Sequence, residues 1–210
     1  RGREMTRYGM LIDASTCAGC DACTMACKYQ NATPSGMYWC KVLKGEYGEY
    51  PNSGQTVLPI ACQHCQDAPC VSACPTGASS YDENQCVQVD YEKCIGCRMC
   101  INACPYNARS YHDVDQSATP YYEGYEMTPY EEMRASEHPI GVVEKCVMCK
   151  ERTAQGEEPS CVKTCITKSR WFGDLDDPTS EINVMIKKLG AKPLMEDLGT
   201  KPSVYYAGLV

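Results

Sequence analysis

The sequence predicts an α+β fold of short strands and short helices that is organised around bound metal. Cysteine accounts for 18 of the 210 residues, several times its ordinary share. Most of these cysteines fall into four quartets, and segments with strand-like alternation run directly into the cysteine-rich loops. Mean hydropathy is −0.42, so the apolar core is modest. Metal ligation is therefore expected to supply much of the stability.

The four quartets share closely spaced cysteines. The first and third read C-x2-C-x2-C-x3-C, the second has a middle gap of four residues, and the fourth has a longer insertion between two pairs. In chain order they are Cys17, Cys20, Cys23 and Cys27; Cys62, Cys65, Cys70 and Cys74; Cys94, Cys97, Cys100 and Cys104; and Cys146, Cys149, Cys161 and Cys165. Disulfide frameworks of this density belong mainly to short secreted domains, so the spacing indicates metal instead.

The spacing of the first and third quartets suits a loop around a [4Fe–4S] cluster. Three such cysteines can each reach a different iron, and Gly19 and Gly96 supply the backbone freedom that the loop needs. In two-cluster ferredoxins the fourth cysteine ligates the other cluster, and it is followed by proline. Pro75 and Pro105 occupy that place after the second and third quartets. These two quartets therefore predict one ferredoxin-like unit.

Zinc is the alternative metal. The pairs Cys62/Cys65 and Cys146/Cys149 would each pass for half of a zinc ribbon. A zinc-ribbon pair does not require the third and fourth cysteines that complete the C-x2-C-x2-C-x3-C pattern. The recurrence of that pattern therefore favours clusters. The fourth quartet lacks the middle cysteine of the usual triplet. Taken alone, it is compatible with either zinc or a cluster.

Residues outside the quartets give no sign of a second chemistry. Cys40 and Cys86 are interpreted as small buried residues. His112 and His138 are isolated, and His64 is interpreted as a hydrogen-bonding residue near a cluster. No phosphate-binding glycine loop and no Ser/His/Asp constellation is present, so no catalytic residue is assigned.

Charge and hydropathy argue against a nucleic-acid site and against a membrane-spanning segment. The net charge is −7 and the basic residues are scattered, so there is no basic patch for nucleic acid. No apolar run reaches the roughly 18 to 20 residues that span a bilayer, and the chain itself is expected to be soluble. The basic residues next to ligands have two interpretations, charges that raise a local potential or ordinary solvated charges, and the second is favoured; they are Lys28, Lys93 and Arg98.

Each predicted strand leads into a cysteine loop. YGMLID (Tyr8 to Asp13) precedes the first quartet, QTVLPIAC precedes the second, and CVQVDYEKC precedes the third. The residues that follow the triplets, TMACKYQN and INACPYNA, predict short helices. The same strand–loop–helix unit therefore recurs along the chain.

Two segments lie outside this repeat. Residues 120–139 contain no cysteine, are rich in Tyr, Glu and Pro, and are predicted to form an inserted loop. In residues 176–210, SEINVMIKKLG predicts an amphipathic helix with Ser180 as its N-cap and Gly190 at its end. The remaining KPSVYYAGLV predicts an extended tail that packs on a partner or on the cluster domain.

Five segments together resemble a known family over nearly the whole chain: MLIDASTCAGCDACTMACK, CQHCQDAPCVSACPTGAS, KCIGCRMCINACPYNAR, EKCVMCKERTAQGEEPSCVKTC and FGDLDDPTS. The sequence resembles the four-cluster iron–sulfur (beta) subunits of the dimethyl-sulfoxide/polysulfide reductase group of molybdopterin oxidoreductases. Such subunits look like two nested ferredoxins. The resemblance implies an outer module made of residues 1–56 and 140–175, and an inner module made of residues 57–119.

The resemblance also implies how sixteen cysteines hold four [4Fe–4S] clusters. The implied ligands are Cys17, Cys20, Cys23 and Cys165 for cluster 1; Cys27, Cys146, Cys149 and Cys161 for cluster 2; Cys62, Cys65, Cys70 and Cys104 for cluster 3; and Cys74, Cys94, Cys97 and Cys100 for cluster 4. Family members often have proline where this chain has Lys28 and Ile166, a difference interpreted as tuning of hydrogen bonding. Cys97 is present, so four cubanes are expected rather than a [3Fe–4S] centre.

The function implied by the resemblance is a non-catalytic electron relay in anaerobic respiration. Cluster 1 would face a molybdopterin (Mo or W) catalytic subunit, and cluster 4 would face a quinone-reactive membrane anchor or another redox partner. The complex would sit on the extracytoplasmic side of the membrane, with a cytoplasmic orientation left open. The alternative is a ferredoxin-type subunit of a formate dehydrogenase or hydrogenase. FGDLDDP after the last quartet favours the reductase group.

Overall fold

Short elements joined by cysteine loops make up the computed structural model, which describes residues 6–113, 121–122 and 124–209. Within those residues the strands are β1 Tyr8–Asp13, β2 Cys40–Tyr47, β3 Gly54–Ala61, β4 Ser79–Tyr81, β5 Val87–Val89, β6 Arg109–Tyr111, β7 Val143–Lys145, β8 Arg170–Asp174, β9 Lys192–Pro193 and β10 Val204–Ala207. The α-helices there are α1 Ala22–Asn31, α2 Pro69–Ser72, α3 Met99–Asn102, α4 Pro129–Arg134, α5 Lys150–Ala154, α6 Ser160–Lys163 and α7 Glu181–Leu189.

One four-stranded sheet, in the order β8-β1-β10-β9, joins distant parts of the chain. β1 pairs antiparallel with β8 and parallel with β10, so the C-terminal strand lies inside the sheet. Helix α7 covers one face, where Ile182 packs with Leu11 and Leu175. Ile12 is paired with Arg170, so the loop after β1 and the loop before β8 leave the sheet at the same end.

Three two-stranded ribbons complete the described fold: β2–β3, β4–β5 and β6–β7. The predicted boundary between residues 56 and 57 falls inside β3, which continues across it. The ribbon β6–β7 joins the strand after the third quartet to the strand before the fourth. Backbone pairing therefore connects the two predicted modules.

Most predicted elements are present in the structure. The predicted strand Tyr8 to Asp13 is β1, QTVLPIAC lies in β3, and CVQVDYEKC contributes only the three residues of β5. Helix α1 covers TMACKYQN in full. The helix predicted in INACPYNA ends at Asn102, because Pro105 disfavours helical backbone at the residue before it and cannot continue the helix.

The prediction of an irregular loop at 120–139 was wrong for part of that segment. It contains α4, followed by a 3₁₀ turn at Ala135–Glu137. Thr128 and Glu131 form a reciprocal capping box, and Pro129 occupies the first helical turn, where its missing N–H costs nothing. Residues 120 and 123 lie outside the described residues.

The C-terminal prediction was right: the helix is present, with Ser180 at the N-cap position and Gly190 at its end. Gly190 ends helix α7 with a φ of 58°. Ser180 precedes the helix, but its hydroxyl donates to the carbonyl of Asp174 at 2.7 Å and makes no cap hydrogen bond. The tail forms β10 in the central sheet.

Candidate metal centres

A small, largely enclosed cavity of about 20 Å³ brings together cysteines that are more than a hundred residues apart in sequence. Met10 and Ile12 of β1 and Val204 of β10 give it apolar walls. Its cysteines include the complete set implied for cluster 2: Cys27, Cys146, Cys149 and Cys161. Long-range pairing of β1 with β8 and β10 brings these loops together, which local spacing alone did not predict.

A second small cavity, also of about 20 Å³, is lined by the complete set implied for cluster 3: Cys62, Cys65, Cys70 and Cys104. Other residues line it as well, among them Pro69, Pro105 and Tyr106. This cavity shares Cys62 and Gln63 with the first. The two donor sets therefore have a common wall.

The donor chemistry of both cavities fits iron–sulfur clusters. Burial raises the pKa of Cys65 to about 12 and that of Cys161 to about 11, and neighbouring cysteines add to the effect. Such thiols resist ionisation until a bound metal neutralises their charge. Among the described residues, no three His, Cys, Asp or Glu side chains converge on a single point suited to one metal ion. The cysteines instead surround the cavities.

The remaining implied sets lie nearer the surface. Cys100 is close enough to Cys94 and Cys74 for their charges to interact, whereas Cys97 is exposed. Burial opposes ionisation of Cys74, but hydrogen bonds from Ser79 and Thr76 lower its pKa to about 7. These contacts bring three of the four cysteines implied for cluster 4 into one neighbourhood.

The set implied for cluster 1 lies at the edge of the sheet where β1 ends and β8 begins. Cys17 and Cys20 lie in the loop between β1 and α1, and Cys165 lies before β8. Cys20 is exposed, whereas Cys23 is buried. Ser169 approaches the sulfur of Cys165 at 3.2 Å. Burial opposes ionisation of that thiol, but hydrogen bonds with Ser169 and Thr167 outweigh burial and lower its pKa. The register places these loops side by side.

Sequence analysis missed two buried arginines. Nη2 of Arg109 donates to the sulfur of Cys70 at 3.1 Å, and Nη2 of Arg170 donates to the sulfur of Cys23 at 3.4 Å. Each arginine stands five residues after the last cysteine of its quartet, in CPYNAR and CITKSR. That repeated C-x4-R spacing is the signal that could have identified them.

The interpretation of Lys28 as a solvated charge was wrong. Its ammonium group is buried and donates to the carbonyls of Thr33, Pro34 and Met37. Burial lowers its pKa to about 8. Lys28 therefore ties the end of α1 to the following loop.

The other two basic neighbours are exposed, as predicted. Lys93 forms a surface ion pair with Asp90 at 2.8 Å. Arg98 lies over the ring of Tyr111, 3.7 Å from its centroid. Neither side chain is buried against a sulfur.

Cys40 and Cys86 are both buried, as predicted. Cys40 also lines the first cavity. A hydrogen bond from Cys40 lowers the pKa of Cys23 to about 6. Burial raises the pKa of Cys86 to about 12. Cys40 therefore acts on an implied ligand, a role that sequence analysis did not predict.

The histidines occupy different environments. His64 is fully buried, and burial together with the charges of Lys145 and Arg109 holds its pKa well below the ordinary value. Its ring approaches the backbone of Cys146 without a well-aligned hydrogen bond. His138 pairs with a buried carboxylate, and His112 Nδ1 lies 3.0 Å from the Pro139 carbonyl.

No helix in the described ranges has the length and hydropathy needed to cross a bilayer.

Comparison with known proteins identifies the family. The model of the 4Fe–4S dicluster domain matches residues 54–119 and 112–175, and that of a 4Fe–4S binding domain matches residues 14–30. A protein of Halobacterium salinarum described as an iron–sulfur subunit of a dimethyl sulfoxide reductase is 40% identical, over 96% of this chain and 79% of its own length.

Two further relatives extend the match. A selenate reductase subunit of Mesobacillus selenatarsenatis is 40% identical, over 94% of this chain and 70% of its own. The arsenate respiratory reductase iron–sulfur subunit of a Shewanella species is 35% identical, over 95% of both chains. The chain therefore belongs to the iron–sulfur electron-transfer subunits of the dimethyl-sulfoxide/polysulfide reductase group of molybdopterin oxidoreductases.

Proposed function

We propose that the chain holds four [4Fe–4S] clusters in a row and relays electrons along them. The proposed ligands are Cys17, Cys20, Cys23 and Cys165 for cluster 1; Cys27, Cys146, Cys149 and Cys161 for cluster 2; Cys62, Cys65, Cys70 and Cys104 for cluster 3; and Cys74, Cys94, Cys97 and Cys100 for cluster 4. The observation that carries the proposal is the pair of cysteine-lined cavities with a common wall at Cys62 and Gln63. Residues 1–56 with 140–175 form the proposed outer module, and residues 57–119 the inner one.

Electrostatic interactions between ligands of different sets, and one arginine shared by two sets, support the order 1-2-3-4. Cys23 of the first set acts electrostatically on Cys161 of the second. Cys62 of the third set acts on Cys146 of the second. Arg109 lies near Cys70 of the third set and Cys100 of the fourth. Each neighbouring pair of sites is therefore connected by an electrostatic interaction between ligands or by a shared side chain.

Exposure of the cysteines supports the two ends of the relay. Cys20 in the first set and Cys97 in the fourth are exposed, whereas the second and third sets contain no exposed cysteine. A terminal site must come near a partner to exchange electrons, and an internal site is protected by burial. The loops around Cys20 and Cys97 are the proposed points of entry and exit.

When bound, the clusters supply one-electron chemistry, in which each transfer oxidises one site and reduces its neighbour by one electron. The chain fixes the positions of the sites and adjusts their potentials through hydrogen bonds to sulfur, nearby charge and burial. Hydroxyls two residues after a ligand provide such bonds in two quartets. Thr76 lies 3.7 Å from the sulfur of Cys74, and Thr167 lies 3.7 Å from that of Cys165.

The proposed partner at the cluster 1 end is a molybdopterin (Mo or W) catalytic subunit. The names of the selenate and arsenate reductase relatives support it, because each describes a subunit of a reductase. A quinone-reactive integral-membrane subunit is the proposed partner at the cluster 4 end. The complex would then face the extracytoplasmic side of the membrane and act in anaerobic respiration.

Metal and sulfide analysis of the anaerobically purified complex, with EPR through a reductive titration, tests the relay. About sixteen iron atoms and sixteen acid-labile sulfides in this chain, with interacting signals, are expected for four cubanes. Iron bound to the catalytic subunit is subtracted after a separate measurement on that subunit alone. Zinc in place of iron, or only two clusters, would overturn the proposal.

A further inference from the structure

Besides Lys28, whose ammonium group donates to three backbone carbonyls, three cationic side chains are buried among the proposed cluster ligands. The exposed fraction is 6% for Arg170, 1% for Lys145 and 4% for Arg109. Within the part of the chain that the structure describes, none of the three pairs with a carboxylate. A buried charge without a counter-charge is costly. Their position therefore calls for an anionic group other than aspartate or glutamate.

Arg170 lies between the proposed sites of clusters 1 and 2. Its Nη2 atom is 3.4 Å from the sulfur of Cys23, a ligand of cluster 1. The side chain also lines the cavity that holds the cluster 2 cysteines, and its charge acts on Cys161 and Cys27 there. One guanidinium group therefore faces both sites of the outer module.

Arg109 occupies the corresponding place between clusters 3 and 4. Its Nη2 atom is 3.1 Å from the sulfur of Cys70, and it lines the cluster 3 cavity. Its charge also acts on Cys100, a ligand of cluster 4. Nη1 donates to the hydroxyl of Ser79 at 2.9 Å, which fixes the plane of the guanidinium.

Lys145 lies where the two modules meet. Its ammonium group donates to the carbonyl of Cys146, a cluster 2 ligand, at 2.7 Å, and to the carbonyl of Val87. Its charge also acts on Cys70, a ligand of cluster 3. Two backbone acceptors thus hold this cation between the second and third sites.

We propose that the chain places one buried cation at each junction of the four-cluster relay: Arg170 at 1–2, Lys145 at 2–3 and Arg109 at 3–4. This inference rests on the proposed ligand sets. Each cation stabilises an added electron on the cluster at either side of it, because the reduced cluster carries one more negative charge. It therefore raises both neighbouring potentials while the electron passes between them, and no proton is transferred.

The test compares two lysines within the same tripeptide. Glu-Lys-Cys occurs at 92–94 and at 144–146, each time with lysine directly before a ligand. Lys145 is buried, whereas Lys93 is exposed and paired with Asp90. Lys145→Met is therefore the test variant, and Lys93→Met is its matched control.

Midpoint potentials are measured by EPR-monitored redox titration of the anaerobic complex, with iron counted in the same samples. Lys145→Met is expected to weaken reduction of two clusters at least tenfold each, a downward shift of about 59 mV for a one-electron couple. Lys93→Met is expected to leave all four potentials unchanged. Unchanged potentials in Lys145→Met, with iron retained, would overturn the proposal.

Arginine variants test the other junctions and their order. Arg109→Gln and Arg170→Gln are each expected to lower two midpoints, with no cluster in common, whereas Lys145→Met shares one cluster with each of them. If a neutral variant loses iron, the corresponding charge-conserving variant is measured in its place. Arg109→Lys, Arg170→Lys or Lys145→Arg supports the proposal if it restores iron and potentials, and overturns it if it does not.

The wild-type iron count keeps this proposal separate from the relay itself. A wild type with about sixteen iron atoms in this chain and no shift in any variant would refute the junction cations alone. A wild type with fewer clusters would refute the ligand sets first.

Discussion

Nδ1 of His138 lies 2.9 Å from Oε1 of Glu144, and both side chains are buried. The other ring nitrogen of His138 lies 2.8 Å from the carbonyl of Asn31, at the end of α1. This pair therefore joins the segment after α4 to the helix that carries Cys27 and to the strand that precedes Cys146.

Stability is expected to depend on pH through His138. Burial opposes its charge, but the hydrogen bond and the charge of Glu144 outweigh that effect and raise its pKa. The stabilisation is thus complete below the ordinary histidine pKa, about 6.5, and is lost as pH rises through the raised value. Lys28, whose pKa is lowered to about 8, gives the opposite trend in wild type and variant alike, so the two proteins are compared. In calorimetry at a fixed scan rate, the unfolding midpoint of the wild type should exceed that of His138→Gln by more at pH 6 than at pH 8.5. An equal margin at both pH values would contradict this assignment.

Gly96→Ala is expected to prevent assembly of cluster 4. At φ 65° an added Cβ would lie 2.1 Å from the carbonyl oxygen of Gly141, so the loop cannot keep its course. Gly77→Ala is the matched control, because Gly77 has a φ of 67° with nothing within 4 Å of its Cβ. The control should cost about 1 kcal/mol and keep its iron. Iron analysis should show a loss of about four atoms in Gly96→Ala alone.

Cys40→Ala and Cys86→Ala are expected to retain the full iron content, because both residues lie outside the proposed ligand sets. The two variants should differ in potential. Cys40 donates a hydrogen bond that favours negative charge on Cys23, so its removal should lower the midpoint of cluster 1. Cys86 serves as the buried-cysteine control with no shift. A loss of about four iron atoms in either variant would show that its cysteine is a ligand.

Cys17→Ser is expected to disturb cluster 1 and stop turnover of the complex while clusters 3 and 4 remain assembled. The sites are arranged in series, so loss of the first interrupts the path to the catalytic subunit. The inner ligands come from loops that do not include Cys17. EPR of the reduced complex, together with turnover using an artificial electron donor, measures both effects. Normal turnover would contradict the ligand set of cluster 1.

The two Glu-Lys-Cys tripeptides show where prediction from sequence stops. Local spacing identified the cysteine quartets and the short strands before them, because these features depend on neighbours in the chain. The environments of Lys93 and Lys145 differ because Lys145 lies in β7, which pairs with β6, whereas Lys93 lies in a turn at the surface. The burial of Lys145 depends on this long-range strand pairing, so the tripeptide sequence alone cannot predict it.

Two further features, helix α4 and the grouping of cysteines from distant quartets, were not predicted from local patterns. Only the first of them has a recognisable signal in the sequence. The capping box at Thr128 and Glu131, with Pro129 between them, marks a helix start inside a segment whose composition suggested a loop. The grouping of cysteines from distant quartets had no such signal. It came from family resemblance, and the cavities now provide a physical reason for it.

The position of β10 beside β1 has a consequence for biosynthesis. The proposed inner ligands all lie between Cys62 and Cys104, so all eight of these cysteines precede the outer ligands of the fourth quartet in synthesis. The outer module needs Cys165, and its sheet closes only when Val204–Ala207 has left the ribosome. Until then β1 has an unpaired edge that can associate with other chains. The inner cysteines are therefore synthesised well before the outer sheet can close, and the outer loops reach their final places last.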